Sequence, residues 1–180
     1  DYTFKDRSEI YLRYQHERRT GDYVVQDEGL TEMEEQHQSK VRLHLRRKLT
    51  GSITSDTRVE WVRIGRGQIS HGWMIYQDLG YQSGRIPFRA DLRLAVYDTD
   101  DYQSRIYAYE DDLLYVFSVA PYYSRGYRTY LNMKYTWGMM DFWLKLARTG
   151  YTDRKQIGTG LAEISGNSKT TLYVQLRYKF

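Results

Sequence analysis

Four histidines, His16, His37, His44 and His71, are the first places to look for chemistry, because imidazole carries protons near neutrality and ligates metals. His71 lies near Asp98, Asp100 and Asp101 only if separate loops converge; a protease that activates water with carboxylates would need such an Asp-His grouping. A lipid hydrolase or acyltransferase needs Ser and His within hydrogen-bond reach. Ser70 and His71 are adjacent, which on a strand sends their side chains to opposite faces. Glu32, Glu34, Glu35 and His37 could gather a cation, but a solvated acidic loop is the simpler expectation. His44 sits in the basic ladder Arg42-His44-Arg46, whose charges oppose its protonation and metal binding, so it reads as a hydrogen-bonding residue. No catalytic set, metal site or cofactor is therefore expected.

The elements that would position these residues are strands. In KVRLHLRRK, Val41, Leu43 and Leu45 alternate with Lys40, Arg42, His44, Arg46 and Lys48, the period-two signature of a two-faced strand. PFRADLRLAVYD sets Phe88, Ala90, Leu92, Leu94 and Val96 against Arg89, Asp91, Arg93 and Tyr97. RTYLNMKY sets Leu131 and Met133 against Arg128, Tyr130, Asn132 and Lys134. DFWLKLAR sets Phe142, Leu144 and Leu146 against Asp141, Trp143 and Lys145, and TTLYVQLRYKF sets Leu172, Val174 and Leu176 against Gln175 and Arg177. SEIYLRYQHER, TRVEWVRI and GWMIYQDLGY alternate likewise, with Gln77 out of place on the apolar side of the last. SRIYAYEDDLLYVFSV reads either as one bulged strand or as two short strands around an Asp-Asp turn. The total is then nine or ten, and an even count is preferred for a bacterial barrel.

Composition points the same way. The 180 residues include 19 Tyr, 4 Trp and 5 Phe, yet 28% are charged and only two are Pro. Aromatic richness diluted by polar residues suits a transmembrane barrel, in which each lipid-facing residue alternates with a lumen-facing one. No run approaches the ~18 apolar residues of a membrane-crossing helix, so spanning would require a closed barrel. The opening DYTFKDRSEI is charged and has no apolar core; it is read as a mature form or an excised portion of a longer protein, its export signal removed. There is no cysteine, hence no disulfide. The 27 basic and 23 acidic residues are interspersed rather than gathered in a stripe, which argues against a nucleic-acid surface.

The expected architecture is thus one all-β domain, an antiparallel transmembrane β-barrel of about ten strands (eight to twelve), with a polar, charged lumen. Arg42, His44, Arg46, Arg89, Asp91, Arg93, Lys134, Lys145 and Arg177 face that lumen. Val41, Leu43, Leu45, Leu92, Leu94, Leu131, Phe142, Leu144, Leu146 and Leu176 face lipid. Trp61, Trp73, Tyr81, Trp137, Tyr151 and Tyr178 lie near strand ends, where amphipathic rings anchor at headgroups. Long polar linkers are expected at 19–39 and 150–168, short turns at 82–85 and 136–138.

The terminal LYVQLRYKF resembles the closing strand of outer-membrane barrel proteins, with Phe180 last and Tyr178, Leu176, Val174 and Leu172 at alternate positions before it. The resemblance implies that Tyr178 and Phe180 carry the signal read by the barrel-assembly machinery. RVEWVRI, AVYDTDDYQSRIYAYEDDLLYVFS and GTGLAEISGNSKTTLYVQLRYKF look like the C-terminal barrel portion of large outer-membrane proteins known for an N-terminal helix-hairpin-helix domain. No such helical pair precedes the strands in these residues, so a DNA-binding role does not carry over. The functional expectation is a non-catalytic protein of the bacterial outer membrane, acting as scaffold, narrow channel or binder of other surface proteins through its long loops. The alternatives are an outer-membrane protease or lipid hydrolase with a rim site, and a soluble β-barrel holding an apolar ligand against Leu43, Leu92 and Leu144.

Overall fold

The computed structural model describes residues 2–4, 8–24, 31–66, 68–158 and 160–180. Its strands are β1 (Tyr2–Thr3), β2 (Glu9–Val24), β3 (Thr31–Lys48), β4 (Ile53–Arg66), β5 (Gln68–Gln82), β6 (Phe88–Thr99), β7 (Ile106–Glu110), β8 (Ser118–Tyr122), β9 (Arg125–Trp137), β10 (Met140–Tyr151), β11 (Gln156–Ile157), β12 (Ile164–Ser165) and β13 (Ser168–Tyr178). A single 3₁₀ turn at Gly160–Ala162 is the one helical element among the described residues. Alternation with period two makes each long segment a strand, and short polar connections make neighbours antiparallel.

One sheet runs in the order β1-β2-β3-β4-β5-β6-β9-β10-β13, and every pair in it is antiparallel. It is a meander of eight long strands with the two-residue β1 laid on the outer edge of β2. Among the described residues no pairing joins β13 to β1 or β2, so both edges are free. The connections β3–β4 (49–52), β5–β6 (83–87) and β9–β10 (138–139) lie at one end with Tyr2 and Phe180, and will be called the turn end. Gly138, at φ 56°, supplies the left-handed residue of the tightest of these turns. Two long connections, 100–124 and 152–167, lie at the opposite, loop end.

Two parts of the chain depart from expectation. Of the stretch expected as a 19–39 linker, residues 19–24 and 31–39 are strand and 25–30 lie outside the described residues: β2 and β3 stay in register from Glu9↔Arg46 to Val24↔Thr31. Its sequence is charged and carries no apolar alternation, which hides the strand. The ambiguous 104–119 segment forms two short strands, but they pair only with each other and stay outside the main sheet. The sheet therefore has eight long strands rather than ten, and the β7–β8 hairpin lies against one of its faces.

Candidate functional site

The two faces of the sheet differ in the reverse of the usual sense. Neighbours in sequence make the contrast plain: Arg93 is 2% exposed and Leu94 54%, while Lys145 is 1% exposed and Leu146 44%. Charged residues are buried and aliphatic ones are bare. A buried charge is tolerated only when paired and hydrogen-bonded, so the hidden face must be a connected network.

The β7–β8 hairpin organises that network. Glu110, fully buried at the end of β7, accepts from Arg128 Nε and Nη2 at 2.5 and 2.7 Å and from the Tyr122 hydroxyl at 2.9 Å. Lys145 Nζ lies 3.5 Å from Glu110 and 2.7 Å from Asp112. Burial alone would raise the Glu110 carboxyl, but Arg128, Lys145 and Tyr122 hold it below the usual range. Asp111 is pushed the other way, upward, by burial and by the nearby Asp91.

The hairpin backbone is caught as well. Arg58 donates to the Tyr107 carbonyl (3.1 Å), Arg93 to that of Tyr109 (2.6 Å), Asn132 to that of Asp112 (3.2 Å) and Gln175 to that of Leu114 (3.2 Å). The Asp111 amide donates to the Tyr130 hydroxyl at 3.2 Å. Side chains from β4, β6, β9 and β13 thus do for the hairpin what a neighbouring strand would otherwise do. Nearer the loop end, Ile106, Ala108 and Tyr122 pack on Val62, Ile64, Met74, Tyr76, Ala95 and Tyr97 in an apolar core cluster.

All nine residues expected on the charged face lie there. Arg42 pairs with Glu60 at 2.7 Å, Arg46 with Asp56 at 2.9 Å and Arg89 with Asp91 at 2.8 Å. Arg93 binds Asp78 through Nε at 2.6 Å and stands 3.9 Å over the Tyr76 ring. Arg177 pairs with Asp141. His44 Nδ1 lies 3.0 Å from the Tyr11 hydroxyl, and Asp56 is 3.5 Å from its Nε2. Lys134 lies over Trp143 at 5.2 Å. A polar cavity of about 350 Å³ remains between β3–β6 and the hairpin, bordered by His44, Arg58, Asp78, Asp91 and Asp111. Glu110, Asp112 and Tyr122 escaped the sequence reading. The alternation of Ile106, Ala108 and Glu110 with Tyr107 and Tyr109 was the available signal, but it does not say which surface the hairpin covers.

The ten residues expected on the apolar face are each at least partly exposed on the opposite side. Gln77, out of place there, is satisfied locally. It accepts from Thr57 Oγ1 at 2.6 Å, and its Nε2 donates to Ser55 Oγ at 2.8 Å and the Asp78 carbonyl at 2.9 Å. Trp61 and Trp73 face each other across β4 and β5 on this side, while Tyr81, Trp137 and Tyr178 mark the turn end. Phe180 is fully exposed beside Tyr178, their rings 5.3 Å apart. Tyr151 is a correction: it is 7% exposed and joins the core cluster, because it shares the inward parity of Trp143, Lys145 and Ala147 along β10.

The groups considered for catalysis are committed elsewhere. Asp98 binds Arg125 at 2.7 Å, and Asp100 accepts the backbone N–H of His71 at 2.8 Å. Asp101 accepts from Ser70 at 2.5 Å and from the Ser104 amide and hydroxyl at 2.9 and 3.0 Å. The His71 imidazole stacks on Trp61 at 5.5 Å. Glu35 pairs with Arg18, with His37 3.7 Å away, while the side chains of Glu32 and Glu34 lie outside the described residues. No group of three or more His, Asp or Glu that could hold a metal ion occurs among the described residues.

Fold and site together define an antiparallel β-meander whose charged face is filled by its own hairpin and whose apolar face is bare. Comparison with protein families, curated proteins and solved structures finds no match to this chain.

Proposed function

We propose that the sheet is the wall of a bacterial outer-membrane β-barrel, with the charged, hairpin-filled face toward the lumen and the apolar face toward lipid. The observation that carries this is the inversion of burial between neighbours such as Arg93 and Leu94. A soluble sheet that buried arginine and left rows of leucine bare would forfeit ~1.5–3 kcal/mol for each large aliphatic side chain. A row of five leucines, Leu79, Leu92, Leu131, Leu146 and Leu172, crosses five consecutive strands in register on the bare face.

The inclination of the apolar band supports the same assignment. On β2 the band is Ile10, Leu12 and Tyr14; on β13 it is Leu172, Val174, Leu176 and Tyr178. Following the register from Ile10 through Leu45, Thr57, Gln77, Leu94, Thr129 and Arg148 arrives at Thr170, above the band on β13. The band therefore slips by about six to eight residues, ~20–26 Å, across seven strand spacings of ~4.8 Å each. A level apolar belt then requires strands tilted by about 30–40°, close to the ~35–45° of membrane barrels. From Trp73 to Tyr81 the band runs ~26 Å along the strand, which at that tilt is ~20–23 Å of height, most of the ~25 Å apolar belt of such barrels.

The lumen is occupied by a hairpin held at five or more points, which favours a scaffold that binds partners through the loop-end segment 152–167 over an open channel. The ion pairs that would line a pore are engaged with the hairpin and one another, and no catalytic role is assigned. Phe180 and Tyr178 stand exposed where an assembly factor would read them. The test is SDS gel mobility of detergent-refolded protein, unboiled against boiled. Faster migration of the unboiled sample is the expected result for an SDS-resistant barrel. Identical mobility, with good solubility in plain buffer, would refute the membrane assignment.

A further inference from the structure

Toward the loop end, the continuous apolar band on β2 to β5 stops along one line. Its last residues there are Tyr14, Val41, Trp61 and Trp73, direct partners in register. Two residues further along each strand stands a second row in register, His16, Ser39, Arg63 and His71. Residues two apart on a strand share a face, so both rows lie on the apolar side, ~7 Å from each other. His16, Arg63 and His71 are exposed.

Arg63 gives this row its charge. The charges around it are already engaged: Arg18 pairs with Glu35, and Arg125 with Asp98 at 2.7 Å. Asp100 accepts the His71 amide at 2.8 Å, and Asp101 accepts from the Ser70 hydroxyl. Arg63 has no ion-pair partner among the described residues, so a guanidinium with five N–H donors and no acceptor stands uncompensated at the border of the band. The residues beside it are held in place. The His71 ring stacks on Trp61 at 5.5 Å. His16 Nδ1 lies 3.0 Å from Ser39 Oγ, and its ring stacks on His37 at 5.9 Å. Only the short Ser39 separates His16 from Arg63, which leaves two strand spacings, ~10 Å, between the longer side chains. A phosphate group spans such an interval with hydrogen bonds to either side, and the guanidinium fork matches two of its oxygens.

We propose that the row of His16, Ser39, Arg63 and His71 binds the phosphate of a lipid headgroup in the leaflet at the loop end, with Arg63 as the principal contact. The acyl chains of that lipid then lie along Trp61 and Trp73. Charge complementarity selects an anionic group, and the aromatic row directly beneath selects a lipid as its carrier, because amphipathic rings and basic residues together mark the headgroup level. The proposal rests on the barrel assignment above, which turns this face to the bilayer.

The test is lipid selectivity at Trp61 and Trp73. The protein carries Trp137→Phe, and Trp143, shielded on the charged side, contributes a constant background. It is refolded into phosphatidylcholine vesicles in which a minor share of the lipid is phosphatidic acid or phosphatidylcholine, brominated on the acyl chains. Brominated phosphatidic acid is expected to quench as though enriched about fivefold at the row, the factor for one basic residue at an anionic surface. Arg63→Gln should bring that ratio to about one and leave quenching by brominated phosphatidylcholine unchanged, which shows that the variant has inserted. Arg148→Gln is the control. The register carries Arg148 to Thr57 on β4, ~20 Å along the strand from Arg63 and beyond a Debye length, so its loss should leave the ratio as it is. Equal quenching by the two lipids, an undiminished ratio in Arg63→Gln, or an equal loss in Arg148→Gln would each overturn the proposal and leave the barrel assignment standing. Absence of quenching by either lipid would overturn both.

Discussion

Replacing Glu110 by Gln should loosen the hairpin without dismantling the sheet. The amide keeps the shape and one acceptor but removes the charge that Arg128 and Lys145 share. Arg128 retains Thr149 Oγ1 at 2.7 Å, and Lys145 retains Asp112 at 2.7 Å, so neither cation is left bare. Removing one partner of a buried ion pair costs ~3–5 kcal/mol; the retained contacts place Glu110→Gln near the lower end, about 3 kcal/mol. That is roughly a hundredfold increase in the open population of the hairpin. Tyr122, 1% exposed while the hairpin is seated, becomes a chymotrypsin site only when the hairpin opens. With opening fast relative to cleavage, the nicking rate at Tyr122 should rise by about the same factor. Replacing Arg128 by Met in the same protein should recover part of the loss, because the second change removes a stranded charge rather than a contact. A Glu110→Gln protein that is nicked at the wild-type rate would refute the idea that this carboxylate seats the hairpin.

Other outcomes follow from the same geometry. Glu110 is held below the ordinary glutamate value of 4.5, so its stabilisation is complete above that pH and disappears as pH falls through the depressed value. Asp111 is raised above 3.8, and its protonation on acidification first relieves strain on the hairpin. Hairpin protection from protease should therefore hold or rise on mild acidification and decline only below pH 4.5; a steady decline from neutrality would contradict both assignments. Leu131→Arg, in the middle of the outward leucine row, should cost ~2–4 kcal/mol in bilayer refolding and little in a soluble sheet. Urea titration in lipid vesicles reads the difference, and a neutral effect there would count against lipid contact. Gly126→Ala should cost ~1–3 kcal/mol, measured by the same titration, because its Cβ would stand 2.3 Å from the Gly150 carbonyl oxygen. A wild-type urea midpoint would show that β9 and β10 can separate there.

Much of the sheet was legible because two-sided strands write their faces into alternate residues. Val41, Leu43 and Leu45 against Arg42, His44 and Arg46 fixed both the strand and its orientation, and the same held for β6, β9, β10 and β13. Where both faces are polar, as through Glu17–Thr20 and Glu35–Lys40, alternation carries no signal and strand looks like loop. Tyr151 ends β10, where an anchoring ring is expected, but its parity with Trp143, Lys145 and Ala147 turns it inward. The hairpin could be suspected from IYAYE and SVAPY, but its docking rests on side chains scattered over β4, β6, β9, β10 and β13. No local pattern records such long-range contacts. Gln77, a flaw in the pattern, became intelligible only with Thr57 opposite it.

The most direct measurement of the central assignment is quenching of single-tryptophan variants by brominated lipids after refolding into vesicles. Trp61, Trp73 and Trp137 lie on the exposed apolar side, whereas Trp143 is 6% exposed on the charged side under Lys134 and Arg177. The account predicts strong quenching of Trp61 and Trp73, quenching of Trp137 nearer the headgroups, and little of Trp143. Quenching of Trp143 with protection of Trp61 and Trp73, or no lipid quenching at all, would contradict it.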